Sequence, residues 1–364
     1  MRIVTEVGHP AHVHYWRNLI NLMEVEGHEF KLIARNKEST YQLLEAYGFE
    51  YTAIGRNRPT MMAKGIGMLM DDFNLLRISK KFKPDLFLSS GMPYSGHVSR
   101  IMGKPHITIL DTEIAGFTIN LLKPFCDAII TPSAFQKELP PATHVNFDGY
   151  FELAYLHPKR FSPDPATLEP LGLSEVDRFI LVRLSSWDSS HDLSFKGIFQ
   201  SQKQFLEILE RLELHGRVLL TTEVPLPAKF DRYRFKLPVH KIHDLMYYSS
   251  LYIGEGATMA SEAGVLGTPW IFISPETRGY LDDQEKNYGL GRTISDPEEA
   301  VNWAEELLSR PALAREWKEK REKLLQDKID VTGFLAWFVN KWPESLRICQ
   351  EKEIQYMFAY SREK

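Results

Sequence analysis

Short apolar runs alternate with stretches of helical periodicity from the first residues onwards. "RIVTEV" is rich in β-branched residues and ends before Gly8, and the spacing of Trp16, Leu19, Ile20 and Met23 then predicts a helix over 14–26. "HEFKLIAR" predicts the next strand, and "STYQLLEAYG" a helix with Ser39 as N-cap and Gly48 at its end. "FEYTAIG" predicts a third strand. An amphipathic helix is expected over 64–82, stopping before Pro84, and "PDLFLSSG", "KPHITILDTE" and "CDAIITPS" predict three more strands. Strands separated by helices in this way make a parallel, doubly wound sheet.

The periodicity fades over 137–172, where proline and glycine are frequent, and a domain boundary is placed here, near Tyr150. A second α/β series follows. "RFILVRLS", "RVLLTTE", "LYIGEG" and "TPWIFIS" predict strands, and "SFKGIFQSQKQFLEILERLELHG", "IHDLMYYSS" and "ATMASEAGVLG" predict helices. The expected organisation is a first Rossmann-like domain over 1–150, a second over 151–330, and a helical tail over 331–364 that packs back on the first domain. Open α/β sheets bind ligands at the carboxyl ends of their strands, so two such edges are expected to face a cleft.

A length of 364 residues suits two domains of ordinary size, and 43% hydrophobic with 25% charged residues lets each bury its own core. The net charge of −4 argues against nucleic-acid binding by general electrostatics. Cys126 and Cys349 lie far apart, without metal-ligand spacing, and are expected as free thiols of a cytoplasmic protein. "MRIVTEVGHP" reads as a first strand, not a signal peptide. No apolar stretch reaches the roughly 18–20 residues of a membrane span, which leaves peripheral membrane contact and a homodimer open.

"IGEGATMASEAGVLGTPWIFIS" is strand, glycine turn, helix and strand. Gly254, Gly256 and Ala257 let backbone approach a ligand, and the N–H groups near Thr258 and Met259 favour an anion together with the helix dipole. Glu262, about one turn further on, suits a ribose diol, so a diphosphate with its ribose would use both features. The plainer alternative is a tight turn with a solvated glutamate. Arg183 stands inside an apolar strand, and its partner is a ligand diphosphate or an internal acid. Ser185, Ser186 and His191 follow it as hydrogen-bond candidates for phosphate.

Other candidates lie in turns after strands. "GHPAHVHYW" packs His9, His12 and His14 into a loop after the first strand, where a histidine could take a proton from an acceptor hydroxyl. No carboxylate is spaced to complete a metal site with them, so no metal is assigned. "ILDTEIAG" ends a strand with Asp111, Thr112 and Glu113, where a carboxylate could act as acid or base if burial raised its pKa, or Asp111 and Thr112 could cap the following helix. In "SPETRGYLDDQEKNYGLG", Asp283, Gln284 and Asn287 are candidate partners of sugar hydroxyls, or part of a charged surface loop. Met61, Met62, Met68 and Met70 form either a lip for an apolar acceptor or core packing.

"GHPAHVHYW", "GYFELAYLHP", "VRLSSWDSSHD" and "LMYYSSLYIGEGATMASEAGVLGTPWIFIS" together resemble an uncharacterised prokaryotic family, a domain of unknown function, over most of residues 1 to 340. That family is similar to GT-B-fold enzymes, namely UDP-N-acetylglucosamine 2-epimerase and the lipid II-forming N-acetylglucosaminyltransferase. The resemblance implies a GT-B-like fold and a nucleotide sugar, UDP-linked, as substrate with no further cofactor. It implies nucleotide binding through Arg183, Ser185, Gly256, Ala257, Thr258 and Glu262, sugar binding through Asp283 and Gln284, and catalysis by His12 and Glu113. His12 matches the histidine of the transferase's glycine-rich loop, although Gly8, His9, Pro10 and Ala11 stand where more glycines are expected. Glu113 matches the epimerase's glutamate, but "SSGMPYSGH" lacks that enzyme's aspartate. The expected activity is sugar transfer to a glycan or lipid in surface polysaccharide synthesis, with epimerisation or non-catalytic binding as alternatives.

Overall fold

The computed structural model describes residues 1–37, 39–55, 61–113, 116–184, 201–222 and 225–351, and of 61–66 and 117 the backbone. The chain forms two compact units, one from Met1–Arg160 and Asp327–Lys364, the other from Phe161–Gln326.

The first unit carries strands β1 (Arg2–Val7), β2 (Glu29–Ala34), β3 (Tyr51–Ala53), β4 (Leu86–Ser90), β5 (His106–Ile109), β6 (Ala128–Pro132) and β7 (His144–Phe147). They form one parallel sheet in the order β3-β2-β1-β4-β5-β6-β7. The order reverses between β1 and β4, so the turns after these strands lie where a doubly wound sheet binds its ligand. Helices α1 (Pro10–Val25), α2 (Thr40–Ala46), α3 (Met61–Phe82), α4 (Pro93–Met102), α5 (Gly116–Leu122) and α6 (Leu153–Leu156) cover the sheet. β7 and α6 fall where the periodicity is weak, because "HVNF" and "LAYL" are too short to show a period.

The second unit carries β8 (Phe179–Leu184), β9 (Arg217–Thr222), β10 (Leu251–Gly254), β11 (Trp270–Ile273) and β12 (Gly291–Ile294), parallel and in the order β12-β11-β10-β8-β9. Its helices are α7 (Gln202–Glu213), α8 (Ile242–Tyr248), α9 (Ala257–Leu266), α10 (Gly279–Asp283), α11 (Pro297–Leu308) and α12 (Leu313–Asp327). The chain then returns to the first unit as α13 (Val331–Asn340) and α14 (Glu344–Gln350).

The division falls at Arg160, not near Tyr150, and the second unit ends before Asp327. Residues 151–160 stay with the first unit because their bonds point there. The carbonyl of Ala154 accepts from Asn18 Nδ2 of α1 at 2.8 Å and from Thr332 Oγ1 of α13 at 2.6 Å. Phe147 meets Phe151 and Phe334 at ring distances of 5.1 and 5.6 Å. Arg160 Nη2 pairs with Asp330 Oδ2 at 2.8 Å, and Asp330 also caps α13.

α9 lies close on its sheet because Ala260, Ala263 and Gly264 face inward; a Cβ at Gly264 would meet Trp270 Nε1 at 2.9 Å. Such small-residue contact fixes the position of the helix relative to β11 and β10.

Candidate functional site

β10 ends at Gly254, Glu255 N donates back to Arg183 O at 3.1 Å, and Gly256 then takes an extended N-cap conformation (φ −90°, ψ 102°). No side chain caps α9, and its first turn holds no acid. Five other helices, α1, α4, α7, α11 and α13, have N-terminal donors met from within the protein. His9 caps α1, Ser201 caps α7, Asp296 caps α11 and Asp330 caps α13. For α4 the buried Glu6 does this, Oε2 accepting from Ser95 N at 3.1 Å and Ser95 Oγ at 2.8 Å. A bare helix start concentrates unmatched N–H groups and the positive end of the dipole, which together attract an anion.

The surroundings of Gly256 suit that role. Arg183, half-buried at the carboxyl end of β8, donates from Nη1 to Thr221 Oγ1 at 3.2 Å. A Cβ at Gly256 would stand 2.9 Å from Tyr252 Oη and 3.4 Å from Arg183 Cγ. Tyr252 Oη donates to Gly256 O at 3.0 Å, and burial pushes its pKa up, so the hydroxyl stays a donor. Glu262, in the second turn of α9, is buried and accepts from His243 Nε2 on α8 at 2.9 Å. Arg183, Gly256, Ala257, Thr258 and Glu262 therefore share one end of the second sheet and its helix. Ser185, Ser186 and His191 lie outside the described residues.

His12 lies in the first turn of α1, not in a loop. Pro10 is pre-set for a helix start and His9 Nδ1 accepts from Ala11 N at 3.2 Å, so the helix begins ahead of its apolar stripe. Gly8 N donates to His12 Nδ1 at 3.2 Å. The ring is thus a neutral Nε2–H tautomer, with its pKa lowered to about 3 by desolvation first and by His9 and Lys37 next. A proton taken at Nε2 would require the other nitrogen to be the donor, where Gly8 N–H already points. The expected base role for His12 conflicts with this tautomer; a donor role fits it.

His14 turns into the core, stacked on Tyr155 at 5.0 Å and bonded to Tyr47 Oη at 3.3 Å, so the three histidines do not converge. Among the described residues no group of three or more His, Cys, Asp or Glu side chains is arranged to hold a metal ion. At the end of β5, Asp111 Oδ2 accepts from Tyr15 Oη at 2.9 Å, and Glu113 Oε1 accepts from Gln136 N at 2.9 Å. His12 stacks on Tyr15 at 6.1 Å, which brings His12 and Asp111 to opposite ends of one short chain of contacts.

The stretch holding Asp283 and Gln284 is helical, not a loop. Asp283 ends α10 and accepts from Asn287 Nδ2 at 2.6 Å. Gln284 is fully buried beneath α9: its Oε1 accepts from Trp270 Nε1 at 3.0 Å and its Nε2 donates to Ser261 Oγ at 2.8 Å. With its amide spent on the core, Gln284 is a packing residue, and the sugar contact expected of it is withdrawn. Sequence reasoning missed Tyr252, Thr221 and His243. His243, a polar residue in a short helix with buried Leu245 and Met246, left only a weak signal.

Two parallel sheets covered by helices match solved structures of GT-B proteins. Spinosyn forosaminyltransferase is similar with a TM-score of 0.63, at 16% identity, over 95% of this chain and 99% of that one. UDP-GlcNAc 2-epimerase from Neisseria meningitidis bound to UDP-GlcNAc has a TM-score of 0.63, at 12% identity, over 87% and 94%. MurG from Acinetobacter baumannii has 0.58, at 16% identity, over 94% and 100%. The protein therefore has the GT-B fold. It belongs to the family described as "Protein of unknown function (DUF354)", which matches residues 1–332. An uncharacterised protein of Methanocaldococcus jannaschii is 26% identical over 319 residues, 84% of this chain and 91% of its own.

Proposed function

We propose that this protein is a glycosyltransferase that takes a UDP-linked sugar and acts in surface polysaccharide or glycoconjugate synthesis, in the cytoplasm. The observation that carries this is the uncapped start of α9 with Arg183 beside it and Glu262 in the next turn. In this reading the N–H groups of Ala257 and Thr258 hold the diphosphate, Arg183 adds a positive charge, and Glu262, held by His243, accepts from the ribose hydroxyls. Charge that develops on the leaving diphosphate is met by fixed donors, so the reaction needs no metal. His12 donates from Nε2 to the substrate and Glu113 takes the acceptor proton, while Asp283 contacts the sugar.

Nucleotide-sugar epimerisation is the second reading. Asp111 and Glu113, together at the end of β5, favour it, and the acid-free turn after β4 counts against it. A ligand that binds only the folded state raises the melting temperature by mass action. Melting the protein with UDP, GDP, CDP, dTDP and their sugars should give a shift with UDP and its sugars, reduced in Glu262→Gln. No shift with any nucleotide would sink both readings. Incubating the bound nucleotide sugar alone then separates them, since only an epimerase converts it without an acceptor; a binder that has lost catalysis does neither.

A further inference from the structure

The outward face of α3 carries two kinds of residue in one stripe. Leu69, Met70 and Phe73 are exposed to 68%, 56% and 68%. Arg77, Lys80 and Lys81 continue the same face and are exposed as well. Their spacing by three and four residues keeps them on one side of the helix, over a length of about 18 Å.

The acids of α3 point the other way. Asp71 Oδ2 accepts from Arg35 Nη1 at 3.2 Å, and Asp72 Oδ2 pairs with His97 Nδ1 at 2.9 Å. Arg35 lies over the Tyr94 ring at 3.7 Å, with Glu6 at 3.8 Å. Negative charge is thus spent inside the unit, and no exposed residue over 67–83 is acidic. α4, packed beside α3, adds exposed Arg100 and Ile101, the latter at 65%.

Single exposed apolar residues are ordinary, but three on one helix face merging into a basic run are not. A second copy docked on this face by a two-fold axis would bring two basic runs into one interface. An anionic bilayer surface satisfies both halves, since apolar side chains enter the headgroup boundary while Arg and Lys meet phosphates. No helix among the described residues is long and apolar enough to cross a membrane. We propose that α3 docks the first unit peripherally on an anionic lipid surface.

The test is co-sedimentation of the full chain with phosphatidylcholine vesicles, with and without about one third phosphatidylglycerol. The protein should pellet with the anionic vesicles and far less with the neutral ones. Leu69→Glu with Phe73→Glu, or Lys80→Glu with Lys81→Glu, should each lower partitioning by about an order of magnitude, as should high salt. These side chains are exposed, so melting curves should match the parent; if the glutamate pair lowers the melting temperature, Leu69→Ser with Phe73→Ser replaces it. The proposal is overturned by equal pelleting with neutral vesicles, by variants that pellet like the parent, or by no pelleting at all. A concentration-dependent dimer that Phe73→Glu abolishes would also overturn it, by assigning the face to a second copy.

Discussion

The backbone N–H of Gly8 donates to Nδ1 of His12 at 3.2 Å, which leaves the outer nitrogen of that ring holding the proton. With the pKa lowered to about 3, the ring should remain neutral from pH 5 to 8. Nitrogen-15 NMR of labelled histidine should show the Nε2–H tautomer of His12 without titration across that range. Substituting His12→Ala should cut turnover while nucleotide affinity stays nearly unchanged. Titration near pH 6.5 would restore the base role.

Glu262 and His243 form a buried pair 2.9 Å apart. Glu262→Gln keeps an acceptor oxygen for His243, so stability should change by about 1 kcal/mol or less. UDP affinity, read by calorimetry, should nonetheless fall about tenfold if the carboxylate accepts from the ribose. Unchanged affinity would move the ribose elsewhere.

Two glycines of the turn should respond differently. A Cβ at Gly254 would overlap the Arg183 carbonyl and stand 2.8 Å from its nitrogen, so Gly254→Ala should disrupt the pairing of β10 with β8 and unfold the second unit at a lower urea concentration. At Gly256 the nearest atom is the Tyr252 hydroxyl at 2.9 Å, so Gly256→Ala should cost only about 1–3 kcal/mol while weakening nucleotide binding.

Stability should fall on mild acidification. His106 is fully buried, bonded to Ser89 Oγ at 2.8 Å and Phe125 O at 3.2 Å, and burial lowers its pKa to about 4. His12 is lowered too. Both are neutral when folded, whereas in the unfolded chain they gain protons below about pH 6.5. The stability they contribute is therefore present above that pH and is lost as pH falls towards their folded values. Glu6 acts oppositely: burial raises its pKa, with Arg35 lowering it in part, so protonation near and below its folded value favours the native state. Urea unfolding at pH 7 and pH 5 should show a loss on the order of 2 kcal/mol per histidine. The His106→Gln variant should show a smaller drop, and an equal drop would exclude His106 as the source.

Most strands and long helices were legible in the sequence because each buries a continuous apolar run or a clear stripe. β7, α6 and β12 were not: "HVNF" and "GRTI" hold polar residues among few apolar ones, and "LAYL" is a single turn within a proline- and glycine-rich stretch. The start of α1 was missed because Pro10 and His9, not apolar spacing, set it. The tight turn from Gly254 to Gly256 was legible from residue type, since close backbone approach demands small residues there.

Gln284 shows the limit of reading side chains one at a time. In the sequence it sits among charged residues and suggests a surface; in the fold its amide closes the gap between Trp270 and Ser261. The partner of Glu262 is 19 positions away on another helix, and the cap of α4 is Glu6, 89 positions from Ser95.

The sequence alone determined the fold class and the tight glycine turn ahead of α9, because both follow from local period and from the steric demands of glycine. Which helix start is left bare and which polar groups are spent in the core were decided by tertiary structure. Each of these depends on donors and acceptors that only folding brings within hydrogen-bond distance.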